Sequence, residues 1–151
     1  MFRTDLNKLP DAAEVLRAAG LRITAPRRAI LEELAHDKTH PTAVELYERL
    51  LPNHPGMAFA TVYNTLNALS RAGYVSPLTL GGATRFDPIT EPHDHLVCRR
   101  CGSIEDLAPV ASGEPAPASV GGFAIDRVER VFRGVCASCQ REPDVDPSGT
   151  R

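Results

Sequence analysis

The four cysteines of this 151-residue chain form two C-x-x-C pairs, a pattern that constrains the fold more than any other feature. The pairs are Cys98–Cys101 and Cys136–Cys139, with 34 residues between them and no cysteine left over. Two-residue spacing directs both thiolates of a turn at one cation, and two such turns joined by a sheet complete a tetrahedral site. The sequence therefore predicts a structural zinc site, which stabilises the fold but cannot activate water.

Two disulfides or a redox-active C-x-x-C are the alternatives for these cysteines. Residues 1–10 lack an uninterrupted apolar stretch, and no later run is long enough to cross a bilayer. We therefore expect a cytoplasmic protein without membrane association, where thiols stay reduced. A redox C-x-x-C normally occurs singly near a βαβ unit, so zinc is favoured.

Two histidines at strand spacing precede the first cysteine pair. His93 and His95 flank Asp94, so on a strand both imidazoles face the same side and can share one ion. Asp87, Asp94 and Asp106 lie nearby in sequence or on neighbouring strands, as further candidate ligands. Such ligands without a thiolate suit Fe(II), Mn(II) or Zn(II), and the sequence does not choose among them.

The N-terminal half has the apolar spacing and end signals of helices. Residues 12–19 present one apolar face, and Gly20 follows as a stop. Thr24 can cap a second helix that carries Pro26 in its first turn, where a missing N–H costs nothing. Its apolar stripe extends to Leu34.

Two more helices and a hairpin follow. Thr42 and Glu45 have capping-box spacing for a third helix, and residues 60–69 continue a helical stripe. Residues 74–80 and 83–86 predict two strands joined by a Gly-Gly turn. Helices followed by a hairpin describe a winged helix-turn-helix.

The outward face of the predicted fourth helix is polar and uncharged. It consists of Thr61, Tyr63, Asn64, Thr65 and Asn67. Such a face suits the floor of a DNA groove, where a helix-turn-helix places its second helix. On order and spacing alone, DNA binding and a plain helical domain with a hairpin are about equally favoured.

Charge is distributed unevenly along the chain. Residues 1–90 hold ten Lys and Arg against nine Asp and Glu, whereas residues 91–151 hold seven against ten, within a net charge of -2. Arg22, Arg27 and Arg28 form a cluster without acids. This cluster is either a solvated helix face or a phosphate-binding patch.

The C-terminal half has a different pattern. Residues 96–98, 103–107 and 123–132 are strand-like and predict a small sheet. Residues 108–122 contain three Pro and three Gly, which disfavours a helix there. The tail, 142–151, is predicted to be disordered.

These motifs together resemble the ferric uptake regulator family over residues 10–140. The resemblance rests on residues 21–24 with Arg27, 40–43, 60–66, 85–87, 93–98 and the second C-x-x-C pair. It implies an α+β fold: an N-terminal winged helix-turn-helix followed by a small α/β dimerisation domain with the four-cysteine zinc site. The segments are a DNA-binding domain, 1–86, a hinge, 87–92, a dimerisation and metal-binding domain, 93–141, and the tail.

The resemblance also implies a second, regulatory metal site. Its ligands fall on His40, Asp87, His93, His95 and Asp106. Aspartate at both carboxylate positions is typical of the peroxide-sensing branch of the family, whereas the iron-uptake branch has glutamate. With Fe(II), peroxide is expected to oxidise His40 or His93 and release the DNA; with Mn(II), the repressor should be insensitive.

The implied partners are a second copy of the chain and a palindromic double-stranded operator. The ion ties the two domains together and favours the closed, DNA-binding form. Tyr63 is expected to contact bases and Arg22 the minor groove or backbone, with Thr61 and Asn64 beside them. Asn64 departs from the arginine common in the iron branch, which can alter operator preference.

Some family features have no counterpart here. No histidine stands at the positions of the family's additional metal site, so we predict no third site. The region of the dimerisation helix, 110–121, is rich in Gly and Pro, which disfavours that helix and the interface it forms in the family.

Other functions fit the sequence less well. A zinc hydrolase or deaminase needs an open-position zinc beside a glutamate, and the H-x-E signature is absent, so no enzyme is predicted. A zinc-ribbon module without DNA binding leaves His40, Asp87 and the winged helix unexplained. Within the family, an iron- or manganese-responsive uptake regulator without peroxide sensing is the main alternative, whereas zinc sensors usually add a thiolate ligand.

Overall fold

The fold is described from a computed structural model, which describes residue 6 and residues 11–80, 82–108 and 117–141. The chain divides into two compact units, Met1–Pro92 and His93–Arg151. Within the described ranges, no helix combines the length and apolar character that a membrane crossing requires.

The first unit consists of four helices and a β-hairpin. Its elements are α1 (Ala12–Ala18), α2 (Ala25–Ala35), α3 (Ala43–Leu50), α4 (Phe59–Arg71), β1 (Ser76–Leu80) and β2 (Ala83–Asp87). The antiparallel strands β1 and β2 pair from Ser76 opposite Asp87 to Leu80 opposite Ala83. The predicted helices and hairpin are confirmed, although the first strand begins two residues later than expected.

Side-chain caps fix where α2 and α3 begin. The Thr24 hydroxyl accepts a hydrogen bond from the Arg27 N–H at the start of α2. At the start of α3, Thr42 and Glu45 form the reciprocal capping box: the Glu45 N–H donates to the Thr42 hydroxyl, and the Thr42 N–H donates to the Glu45 carboxylate. Local sequence alone therefore sets the start of both helices.

Thr24→Ala is expected to lower the free energy of unfolding of the first unit by about 1 kcal/mol, because the first turn of α2 loses its side-chain acceptor. Chemical denaturation followed by circular dichroism checks this value. Thr24→Ser retains the hydroxyl and serves as the control. Equal stability of the alanine and serine variants would contradict a capping role.

The core of the first unit is built on one face of each helix. Leu16, Ile30, Leu34, Leu46 and Leu66 are all fully buried in it. These residues hold α4 against the other helices, which leaves its opposite face exposed.

The prediction that Thr65 lies on the outward face of α4 is wrong. Thr65 is buried, and its hydroxyl donates to the Thr61 carbonyl at 2.6 Å. This bond satisfies the hydroxyl inside the core. The positions Val62, Thr65, Leu66 and Leu69 follow i, i+3, i+4, i+7 spacing, so the sequence contained the signal.

The second unit is a small sheet with a separate hairpin and a terminal helix. Its elements are β3 (Asp94–Cys98), β4 (Ile104–Leu107), β5 (Ser119–Val120), β6 (Phe123–Ala124), β7 (Val131–Gly134) and α5 (Ala137–Arg141). The sheet has the order β4-β3-β7, in which β3 pairs antiparallel with β4 and parallel with β7. The short helix α5 was not predicted.

The strand-like stretch 123–132 is divided in the structure. Gly121 and Gly122 both have positive φ, 55° and 84°, as a two-residue turn requires, so β6 folds back onto β5 instead of joining the sheet. Only Val131 and Phe132 of this stretch enter β7. Within the region of the family's dimerisation helix, 110–121, residues 117–121 contain no helix. Residues 109–116 and the tail, 142–151, lie outside the described residues.

Candidate metal centres and DNA-binding surface

The two C-x-x-C pairs lie together in the second unit. One sulfur from each of Cys98, Cys101, Cys136 and Cys139 lies within 4.8 Å of the others, and the sulfurs of Cys101 and Cys136 are 3.7 Å apart. Tetrahedral ligands at a zinc–sulfur distance of about 2.3 Å are separated by roughly 3.8 Å. The four side chains therefore fit a zinc ion without rearrangement of the turns.

The sheet and α5 bring these cysteines together. Cys98 ends β3, whose parallel partner β7 leads directly to Cys136, while α5 carries Cys139. The Arg100 guanidinium, within the first turn, donates to the Cys139 carbonyl. The two turns are therefore tied by protein contacts as well as by their shared ligands.

The thiols of this cluster have different proton affinities. Backbone N–H groups of Cys101 and Cys136 lower the pKa of Cys98 to about 6, and the Cys136 N–H lies 3.3 Å from its sulfur. Hydrogen bonding to the Cys136 thiol, together with burial, raises the pKa of Cys139 to about 12. Because thiolates are the zinc ligands, metal binding must displace the proton that the raised pKa keeps on Cys139.

In the first unit, a short backbone bridge brings His40 opposite Asp87. Thr42 pairs antiparallel with Arg85, and the Phe86 N–H donates to the Pro41 carbonyl at 3.0 Å. Continuing this register by two residues places His40 across from Asp87. Their side chains approach to 3.9 Å between Nε2 and Oδ2, and both are buried.

The second unit contains a similar arrangement across β3 and β4. His95 is the direct antiparallel partner of Asp106. The Asp106 carboxylate lies 3.2 Å from His93 Nε2 and 3.7 Å from His95 Nε2. Neighbouring ligands about 2.1 Å from one ion are separated by about 3 to 3.4 Å, so these three side chains fit a shared metal.

Asp94 has a different role from the one considered for it as a nearby carboxylate. Its two oxygens face the Arg130 guanidinium at 3.1 and 2.9 Å. The Arg130 carbonyl also accepts a hydrogen bond from the His95 N–H. Arg130 therefore holds the strand between the two histidines, a function that sequence spacing did not reveal because the partners are 36 residues apart.

The residues predicted to contact DNA are accessible on the first unit. Arg22, Tyr63 and Asn64 are exposed, and Thr61 is half-buried. Phe59 stacks on Tyr63 with ring centroids 6.4 Å apart and meets Tyr47 edge-on at 5.6 Å. These contacts hold the Tyr63 ring on the outward face of α4.

Two members of the basic cluster, Arg27 and Arg28, contact residues close to them in the chain. Arg27 donates through Nη1 to the Arg22 carbonyl at 2.9 Å, and Arg28 lies 4.0 Å from Glu32 on α2. Arg22 is the member whose exposed side chain best fits a phosphate contact.

Comparison with known proteins identifies the family to which this chain belongs. The model of the family described as Ferric uptake regulator family matches residues 18–114. The peroxide operon regulator of Bacillus subtilis (strain 168) is 39% identical over 139 residues, which are 90% of this chain and 96% of that protein. This chain belongs to the ferric uptake regulator family.

Solved structures agree with this membership. The ferric uptake regulator of Vibrio cholerae has 30% identity and a TM-score of 0.65, covering 83% of this chain and all of that one. The structure described as GAS PerR-Zn-Zn has 31% identity and a TM-score of 0.50, covering 95% and 94%. As a family member, this chain is a metal-dependent regulator.

Proposed function

We propose that this member of the ferric uptake regulator family is a peroxide-sensing, DNA-binding repressor that acts in the cytoplasm and has no catalytic role. The observation that carries the proposal is the pair of His–Asp half-sites, one in each unit, with aspartate at both carboxylate positions. The similarity to a peroxide operon regulator adds independent support.

The structural metal is zinc, held by Cys98, Cys101, Cys136 and Cys139. With four thiolates the ion has no open position, so it stabilises the second unit and takes no part in sensing. The sulfur separations support this assignment.

The regulatory ion is Fe(II) or Mn(II). Its ligands are His40 and Asp87 from the first unit and His93, His95 and Asp106 from the second. Neither half-site alone supplies a full set of ligands, so the ion binds most tightly when both halves reach it. Metal binding thereby favours the form that binds DNA.

Helix α4 enters the major groove, with Thr61, Tyr63 and Asn64 at the bases and Arg22 at the backbone or minor groove. The polar exposed face of α4 and the aromatic contacts that hold Tyr63 support this placement. A palindromic operator presents one half-site to each copy of the chain.

The second unit supplies the homodimer interface. Leu96 pairs with Phe132 across β3 and β7, and Val120 pairs with Phe123 in the β5–β6 hairpin. All four are exposed, Phe123 to 75%, and a cavity of about 360 Å³ opens beside Leu96 and Phe132. Exposed apolar side chains of this kind mark protein contact surfaces.

Peroxide sensing follows from the identity of the regulatory ion. Fe(II) supplies the chemistry that adds oxygen from peroxide to a ligand imidazole, whereas Mn(II) does not. The proposed targets are His40 and His93, which represent one histidine from each half-site. Loss of a histidine ligand weakens the closed form and releases the operator.

The test is operator binding by the zinc-loaded chain with Fe(II) or Mn(II), before and after a low dose of peroxide. We expect binding to be lost only in the iron form, with added oxygen in the peptides that contain His40 or His93. Unchanged binding with unmodified histidines would overturn peroxide sensing and favour a plain iron- or manganese-responsive regulator.

A further inference from the structure

We propose that Arg85 is a positioning residue for the regulatory metal site: its guanidinium fixes the backbone that presents His40 to the ion. The inference rests on the proposed function, because it takes His40 and Asp87 as ligands. Arg85 lies two residues before Asp87 on β2 but offers no metal-ligand atom, and nothing in the proposed sensing mechanism otherwise uses it.

His40 adopts a backbone conformation that needs external support. Its φ is 54°, in the left-handed region that residues with a β-carbon seldom occupy, although histidine tolerates it better than branched residues. Such a conformation persists only where surrounding contacts hold it. Its imidazole is 1% exposed, so the backbone determines where the ligand atoms lie.

Arg85 makes a direct contact that supports this conformation. Its Nη1 donates to the His40 carbonyl at 2.9 Å and to the Glu45 carboxylate at 3.2 Å. That carboxylate accepts the Thr42 N–H at 2.8 Å in the capping box of α3. One guanidinium therefore joins strand β2, the His40 peptide and the start of α3.

The segment before His40 has a separate anchor. The Asp37 carboxylate accepts hydrogen bonds from the Thr39 N–H and hydroxyl and pairs with Arg49 on α3. Removal of the Arg85 side chain therefore leaves the rest of the segment attached to α3. The predicted consequence is local: His40 becomes free to leave its position opposite Asp87.

This arrangement separates metal affinity from stability. Arg85 is 23% and Glu45 42% exposed, and ion pairs this accessible to solvent contribute little to folding. Residues that orient a metal ligand, by contrast, typically change metal affinity by about 10- to 100-fold when they are replaced. Replacement of Arg85 should thus weaken Mn(II) binding clearly while it changes the melting temperature little.

The test measures Mn(II) affinity of the full, zinc-loaded chain by competition with a chelator, and the melting temperature without Mn(II). We expect Arg85→Ala and Arg85→Gln to bind Mn(II) about tenfold more weakly, with little change in melting temperature. Arg17→Ala removes an exposed guanidinium from α1 and should match the wild type.

Asp87→Asn, measured alongside, separates the two possible failures. If Asp87→Asn weakens Mn(II) binding and a folded Arg85 variant binds within twofold of the wild type, the positioning role is overturned and the metal site stands. If Asp87→Asn also binds like the wild type, the first unit holds no ligand of the regulatory ion, and the proposed site that joins both units is wrong. Glutamine at position 85 keeps a hydrogen-bond donor, so it provides a folded variant should alanine prove unstable.

Discussion

Cys136→Ser is expected to abolish zinc retention and unfold the second unit while the helices of the first unit persist. The reason is the composition of the buried interior: among the described residues of the second unit, the buried apolar side chains are Cys98, Ile104 and Cys139. Two of the three are proposed zinc ligands. A unit this small needs a metal or a partner to remain folded.

Zinc binding contributes about 10 to 16 kcal/mol in comparably small domains, which exceeds the net stability of most proteins. Zinc content by mass spectrometry under native conditions and amide hydrogen exchange across both units measure the effect. Ser138→Ala alters the same turn without removing a sulfur and should retain one zinc per chain. Persistent exchange protection of β3 and β7 in zinc-free Cys136→Ser would refute a structural role for the metal.

Asp87→Asn should weaken Mn(II) binding by about 100-fold, about 2.7 kcal/mol, because the site loses an anionic ligand and keeps a neutral amide. The substitution is otherwise mild. The Asp87 carboxylate accepts the Ile89 N–H at 2.8 Å, and the amide oxygen of asparagine can accept the same bond. The loss should therefore reflect the metal and not the fold.

Titration of Mn(II) and metal-dependent operator binding measure the effect of Asp87→Asn together. Operator affinity should fall to the metal-free level at Mn(II) concentrations that saturate the wild type. Asp126→Asn, which removes an exposed carboxylate from the second unit, is the matched control. If Asp87→Asn binds Mn(II) with wild-type affinity, the first unit does not supply a ligand to the regulatory site.

The features that sequence predicted are those encoded locally. Thr24, Thr42 and Glu45 set helix starts through bonds to residues three positions away, and C-x-x-C spacing brings two sulfurs together within one turn. The spacing of apolar residues predicted the remaining helical segments of the first unit. The structure brings the four cysteines together in the second unit. It also brings His40 to Asp87 within the first unit, and His93 and His95 to Asp106 within the second.

The features that sequence missed depend on distant residues or on competing local signals. Arg130 holds Asp94 across the parallel β3–β7 pairing, which no spacing rule could have revealed. The stretch 123–132 has strand composition, but the turn at Gly121 and Gly122 diverts its first residues into a hairpin. Thr65 was misplaced because its polarity was given more weight than its position in the apolar stripe.

The bridge between residues 40–42 and β2 limits how this protein can change in length. His40 lies two residues before the bridged Thr42, so a shift of one residue moves the histidine from its position beside Asp87. A single insertion or deletion between His40 and Thr42 would thus remove a ligand while every helix still forms. Natural variation in length should therefore avoid this connection, even though loops between helices are usually where proteins tolerate it.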